Sequence, residues 1–238
     1  MTPDPQPALL PINVEAVVLF GSRARGDSDD ASDTDIGVFA RAEQFEDLAR
    51  VKDVCTAAYC SQRVSVSVYS TDTAERLAAH GSLFLWHVRL EGNVLFQRSS
   101  WLDRILREIL RPYDAARAWQ DLETFCSVSR EVESALAQDQ ATTLFEAATL
   151  FAVLRGVGMI VGMRSGRPCF SRLEPIRQLQ ARMDDAFGLT EVELLKLAEA
   201  KLVYSGRKMA GWRMPPPALR ETAAKITAIL ERSFEFVH

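Results

Sequence analysis

The sequence predicts an α+β protein: a small mixed β-sheet with helices, followed by an all-α helical bundle. Three observations carry that expectation. Short apolar or alternating runs bounded by turn residues fill residues 1–100. From Trp101 onward, apolar residues recur only at helical spacing. Charge divides at the same place: residues 1–100 carry 9 basic and 14 acidic side chains (net −5), and residues 101–238 carry 19 and 18 (net +1). The expected domains are therefore 1–98 and 99–238, with the second an acceptor-binding or partner bundle.

Each element has a local reason. Four prolines make residues 1–12 an extended lead-in. Ala16–Phe20 is a buried strand that runs into the turn Gly21-Ser22. Asp35–Ala40 is a second strand, and Glu43–Tyr59 a helix with Phe45, Leu48, Val51, Val54 and Ala58 along one stripe. Arg63–Tyr69 alternates strictly, with Val64, Val66 and Val68 on one face and Ser65, Ser67 and Tyr69 on the other. Asp72 with Glu75 has the spacing of a capping box opening a helix to about His80. Leu83–Leu90 is a short helix, Gly92 its stop, and Val94–Gln97 a strand. The bundle is expected as Trp101–Leu110, Tyr113–Ala137, Ala141–Met163, Arg172–Phe187, Glu191–Tyr204 and Pro217–Phe234. Thr190 with Glu193 is a second capping box, and Gly188 a helix stop.

Composition narrows the function classes. With 238 residues, 47% hydrophobic and 25% charged, the chain has ordinary globular usage. A net charge of −4 argues against a cationic nucleic-acid binder as a whole. Four cysteines (Cys55, Cys60, Cys126, Cys169) form no C-x-x-C pair, and three histidines add no zinc spacing. The first residues lack a basic n-region and an apolar run, so no signal peptide is read and the expected location is cytoplasmic. Leu144–Met163 is the most apolar stretch. Glu146 and Arg155 within it favour a buried bundle helix over a membrane span.

One stretch carries chemistry: Gly21-Ser22-Arg23-Ala24-Arg25-Gly26-Asp27, then Ser32-Asp33-Thr34-Asp35-Ile36. Glycine lets the backbone turn tightly and approach a ligand. Residues that follow, if helical, present N–H groups to an anion. Ser22 adds a hydroxyl, and Arg23 and Arg25 add charge suited to phosphate. Asp33 and Asp35, two apart on a strand, share a face with Cα atoms roughly 6.5–7 Å apart. Paired carboxylates suit Mg²⁺, which usually takes one or two of them together with substrate phosphates. A phosphate cradle beside such a pair is what phosphoryl or nucleotidyl transfer requires.

This string resembles the nucleotidyltransferase superfamily related to DNA polymerase β, whose signature is Gly-Ser, a spacer of about ten residues, then Asp-x-Asp and an apolar residue. Gly21, Ser22, Asp33, Asp35 and Ile36 match it. The fuller string is similar to the minimal and the aminoglycoside-modifying members, and a helical partner domain is common among them. The resemblance implies transfer of a nucleoside monophosphate, AMP from ATP or another NTP, onto an acceptor hydroxyl. It implies metal binding by Asp33 and Asp35, with Mg²⁺ and Mn²⁺ as the candidates, and phosphate binding by Gly21, Ser22 and Arg23. The partner set is an NTP and an acceptor left open among small molecule, RNA and protein. No membrane is expected, and a homo-oligomer or helical-domain partner is compatible. The chain departs from the family at one place. The superfamily supplies a third carboxylate from the next strand, and here Ser65 stands there, with Glu91 as a candidate replacement. A nucleotide-binding, catalytically weak regulatory or antitoxin-like protein is therefore the rival reading, and a purely helical interaction module the second.

Other residues have plainer readings. Asp27, Asp29 and Asp30 read as solvated loop carboxylates, His80 and His87 as helix-end or packed histidines, and Tyr69 as sheet packing. The arginines at 164, 167, 172, 177 and 182, and the group Arg207, Lys208 and Arg213, read as a solvated face, with RNA or another anion as the alternative. No histidine lies between residues 88 and 237, which removes the Arg–His pairing of helical RNase domains.

Overall fold

A computed structural model of the chain describes residues 10–29, 32–42, 44–58, 64–138, 143–209 and 211–238. The expectations for Asp30, Cys60, Arg63 and most of the proline-rich lead-in lie outside the described residues. The chain divides into two compact units, Met1–Pro112 and Tyr113–His238. The boundary falls later than 98/99 because the segment after Gln97 packs on the sheet: Leu102, Ile105 and Leu110 are buried in its core.

The first unit is built as β1 (Val14–Phe20), α1 (Ser22–Arg25), β2 (Thr34–Ala40), α2 (Phe45–Ala58), β3 (Val64–Ser70), α3 (Thr71–Ala79), α4 (Leu83–Glu91), β4 (Asn93–Gln97) and α5 (Trp101–Arg104), which continues as a π-helical turn, Ile105–Ile109. The sheet order is β3-β2-β1-β4. β1 runs antiparallel to β2 and β4, and β2 runs parallel to β3. A parallel pair needs a crossover, which α2 supplies. β1 and β2 are central, which is why both read as nearly continuous apolar runs.

The period of two sorts their side chains onto two faces. Val17, Leu19, Ile36, Val38 and Val66 meet Val51 and Cys55 of α2. Ala16, Val18 and Phe39 meet Ala74, Ala78, Leu85, Val88 and Leu102 on the other face. Tyr69 stacks on Phe39 with ring centroids 5.9 Å apart and lies 4.8 Å from Phe84, as the packing reading expects. α3 is capped by Ser70, whose Oγ accepts from the Thr73 N–H at 3.0 Å, so the Asp72–Glu75 box is not the cap. Glu75 instead accepts a hydrogen bond from the Trp101 indole at 3.1 Å.

The second unit holds α6 (Ala115–Ala137), α7 (Leu144–Arg164), α8 (Glu174–Met183), α9 (Glu191–Tyr204) and α10 (Pro216–Ser233). α7 is central and packs against the other four helices. It is long and apolar enough to cross a membrane by length and composition, yet 67% of its apolar window is buried inside the protein. Gly158 allows a close crossing, since a Cβ there would lie 2.4 Å from the Pro175 carbonyl oxygen. The capping box at α9 is present in full, and Gly188 stops the preceding turn with φ +67°.

Candidate functional site

The motif gathers at one end of the sheet, and strand direction explains why. β1 delivers Gly21 at its C-terminal end. β2 is antiparallel to it, so its first residues return to that end, with Asp35 opposite Phe20. β3 is parallel to β2 and places Ser65 opposite Asp35. β4 is antiparallel to β1 and places Asn93 opposite Leu19, just after α4 ends at Glu91. Positions 21, 35, 65 and 91 thus share one edge of the fold.

Gly21 is the pivot. Its backbone lies at φ 75°, ψ −156°, a region open essentially to glycine alone. A Cβ built there would stand 2.6 Å from Asp35 Oδ2, so the carboxylate occupies the space any side chain would need. Glycine is required twice over: for the turn and for the approach of the carboxylate. Ser22 opens the single turn of α1, whose first N–H groups have no carbonyl within the helix to accept them.

Asp33 precedes β2, which starts at Thr34, and its residue is only 8% exposed; Asp35 is half-buried. The loop before them is fastened by Ser32, whose Oγ donates to Asp29 Oδ1 at 2.7 Å and accepts from the Asp29 N–H at 3.0 Å. Asp29 is therefore a loop fastener and not simply a solvated carboxylate. Arg23 is exposed on α1.

Arg25 is not presented to the turn as a loose cation. It donates from Nη1 to Glu91 Oε2 at 2.7 Å and from Nε to Asp27 Oδ2 at 3.1 Å. The same Glu91 oxygen meets His87 Nε2 at 3.0 Å. Burial pulls the Arg25 guanidinium down, but hydrogen bonds to Asp27 and Glu91 outweigh it and leave its pKa above the ordinary value. Burial pushes the Glu91 carboxyl up, but its bonds to His87 and Arg25 outweigh that and hold it below the usual carboxylate range. Glu91 is thus engaged by Arg25 and His87 on the β4 side of β1, whereas Ser65 lies on the far side of β2. His87 packs edge-on against Phe20, centroids 5.4 Å apart. The i,i+4 spacing of His87 and Glu91 on a helix was the signal in the sequence for this pair.

Among the described residues, no group of three or more His, Cys, Asp and Glu could hold a metal ion. The carboxylates of Asp33 and Asp35 are the hard oxygen donors that Mg²⁺ usually takes in ones or twos together with substrate phosphates.

The basic residues of the second unit are largely engaged with their own chain. Arg155 donates to the carbonyls of Ser171 (2.8 Å) and Phe170. Arg164 reaches the carbonyls of Val237 (3.3 Å) and His238 (3.3 Å). Arg182 donates to Ser165 at 2.7 Å and lies over the Phe236 ring. Lys208 pairs with Glu199. A groove of about 800 Å³ runs between α6 and α10, lined by Trp119, Cys126, Arg130 and Phe234 among others, and contains none of the motif residues.

Comparison with known proteins follows this geometry. Residues 11–100 match the family described as Polymerase beta, Nucleotidyltransferase. Among solved structures, the chain is similar to a spectinomycin adenyltransferase from Enterococcus faecialis, crystallised with ATP and spectinomycin. The TM-score is 0.51 at 11% identity, covering 92% of each chain. A nucleotidyltransferase-like protein from Exiguobacterium sibiricum aligns over 94% of this chain and 69% of its own, with 12% identity and a TM-score of 0.35. No curated protein sequence matches.

Proposed function

We propose, from the premise that residues 11–100 are a nucleotidyltransferase domain of the DNA polymerase β-like superfamily, that the chain transfers a nucleoside monophosphate from an NTP to an acceptor hydroxyl. The nucleotide is ATP, the group moved is AMP, and pyrophosphate leaves. The observation that carries this reading is the seating of the Asp35 carboxylate against Gly21, where a Cβ would fall 2.6 Å away. That contact supports the reading because it brings the carboxylate assigned here to the metal against the turn assigned here to phosphate. The spectinomycin adenyltransferase of similar fold holds ATP, which supports AMP as the group moved.

Each residue then has a role. Gly21 and Ser22 receive the terminal phosphates through backbone N–H groups and the hydroxyl. Arg23 adds exposed positive charge beside them. Asp33 and Asp35 hold Mg²⁺, which when bound neutralises charge on the phosphates. The acceptor oxygen forms a bond to the α-phosphorus in line, the bond to the bridging oxygen of the leaving pyrophosphate breaks, and the hydroxyl proton passes to water.

A second reading rests on one observation. Ser65 faces Asp35 across the parallel pair, so β3 brings no carboxylate to assist the acceptor hydroxyl. General-base assistance is typically worth about 10²–10⁴-fold. A nucleotide-binding protein with little turnover would have this feature, and Ser65→Asp would then raise its activity.

The test uses ATP labelled at the α-phosphate, with Mg²⁺ and fractionated cell extract. Label passing to RNA, protein or a small molecule with the wild type, and not with Asp35→Ala, is the expected result and identifies the acceptor class. Mg·ATP binding without transfer in any fraction would favour the binding protein. Equal transfer by Asp35→Ala would remove the proposal.

A further inference from the structure

We propose that Arg25, Glu91 and His87 form a positioning device that holds the Gly21–Ser22 turn in its phosphate-receiving geometry and so sets the nucleotide affinity of the site. The inference rests on the nucleotide reading above and adds residues to which that reading assigns no role.

The turn needs an external hold. α1 is four residues long, and one helical turn does not sustain itself, because nucleation fixes several dihedrals for a single hydrogen bond. Arg25 closes that turn through its backbone, donating its N–H to the Gly21 carbonyl at 3.1 Å. Its guanidinium then ties the turn to Glu91, 66 residues later in the chain, at 2.7 Å. Asn93 adds a longer bond to the Ala24 carbonyl at 3.3 Å. Glu91 is itself steadied by His87, and the His87 ring lies against Phe20, the residue just before Gly21. The circuit Phe20–His87–Glu91–Arg25 therefore grips both flanks of the turn. The three polar side chains are 13–18% exposed, shielded enough for the charge pair to hold better than a surface pair.

The alternative role for Arg25 is direct phosphate binding, and the two roles differ in sign. If Glu91 merely restrains a phosphate ligand, neutralising Glu91 frees that ligand and tightens nucleotide binding. If Glu91 positions the turn, neutralising it weakens binding.

The experiment measures binding of Mg²⁺ with a non-hydrolysable α,β-methylene ATP analogue by calorimetry, on the full chain. The proteins are the wild type, Glu91→Gln, Arg25→Ala, their double variant, and the exchanged pair Arg25→Glu with Glu91→Arg. Backbone hydrogen exchange over residues 20–26 is followed in parallel. The expected result is affinity about tenfold weaker in each single variant, as a shift of the turn would cause. The double variant is no weaker than the worse single, since both break one linkage. The exchanged pair recovers part of the loss, and exchange quickens in the single variants at Arg25 and Gly26, whose N–H groups bond the Gly21 and Ser22 carbonyls. Unchanged or tighter binding by Glu91→Gln overturns the proposal. If the wild type takes up no analogue, the nucleotide reading itself falls. Quickened exchange in Glu91→Gln would still support the hold, and unchanged exchange would overturn it.

Discussion

The two units use charge in opposite ways. The sheet unit gathers three polar side chains from distant parts of the chain, Asp35, Ser65 and Glu91, with Gly21 at one edge of the fold. The helical unit has more cations, yet its arginines donate to its own carbonyls: Arg155 to residues 170 and 171, Arg164 to 237 and 238. A cluster of basic residues in sequence is therefore no measure of a binding surface. What distinguishes a candidate site is a backbone that glycine alone can adopt, with a carboxylate seated against it. In the first unit the polar groups converge on one end of the sheet. In the second they fasten loops and the C-terminus.

Substitutions can break this contrast. The largest effect is expected at Gly21→Ala. The residue must adopt a glycine-only conformation and displace Asp35, so the sheet unit should lose about 2–3 kcal/mol. Nucleotide affinity should fall more than tenfold, as denaturant unfolding and calorimetry would show. Arg155→Ala should come next. The carbonyls of buried Phe170 and half-buried Ser171 lose this donor, costing the helical unit about 2 kcal/mol in its unfolding transition. Mg·ATP affinity should not change, and a loss there would undo the division of roles drawn here.

Glu193→Gln is expected to be smaller and pH-dependent. Burial pushes the Glu193 carboxyl up, but bonds from the Thr190 backbone, Lys225 and the Thr190 hydroxyl bring it down to about 2, below its ordinary 4.5. A depressed carboxylate stabilises above its unfolded-state value and stops doing so as pH falls through the folded one. The wild type should therefore exceed Glu193→Gln by about 1 kcal/mol at neutral pH. The difference should shrink between pH 4.5 and 2. A gap that persists at pH 2 would mean that packing, and not charge, is what Glu193 contributes.

Much of this was legible in the sequence, and the losses have physical causes. β1 and β2 are buried on both faces, so their apolar runs stand out, and strict alternation marked β3. The Thr190–Glu193 box was legible because local spacing alone decides it. Asp72–Glu75 has the same spacing and failed, because β3 runs to Ser70 and the helix opens there at once. Spacing cannot say where the preceding strand ends. The extent of the sheet unit is hidden for a related reason: Trp101–Leu110 is helical in pattern, but its apolar face packs in the sheet-side core. At the site, Gly21, Ser22, Asp33 and Asp35 were visible as a local string. The tie from Arg25 to Glu91 was not, since only the strand order β3-β2-β1-β4 brings residues 66 positions apart together.

The central proposal is that Asp33 and Asp35, the latter seated against Gly21, bind a metal together with the nucleotide. Mn²⁺ binding followed by electron paramagnetic resonance, with and without a non-hydrolysable ATP analogue, tests it most directly. The wild type is expected to take up Mn²⁺ strongly only with the analogue present, because two carboxylates need phosphate oxygens to complete the shell. Asp35→Asn is expected to abolish this uptake while the chain stays folded. Mn²⁺ uptake that is equal in Asp35→Asn, or indifferent to the nucleotide, would contradict the proposal.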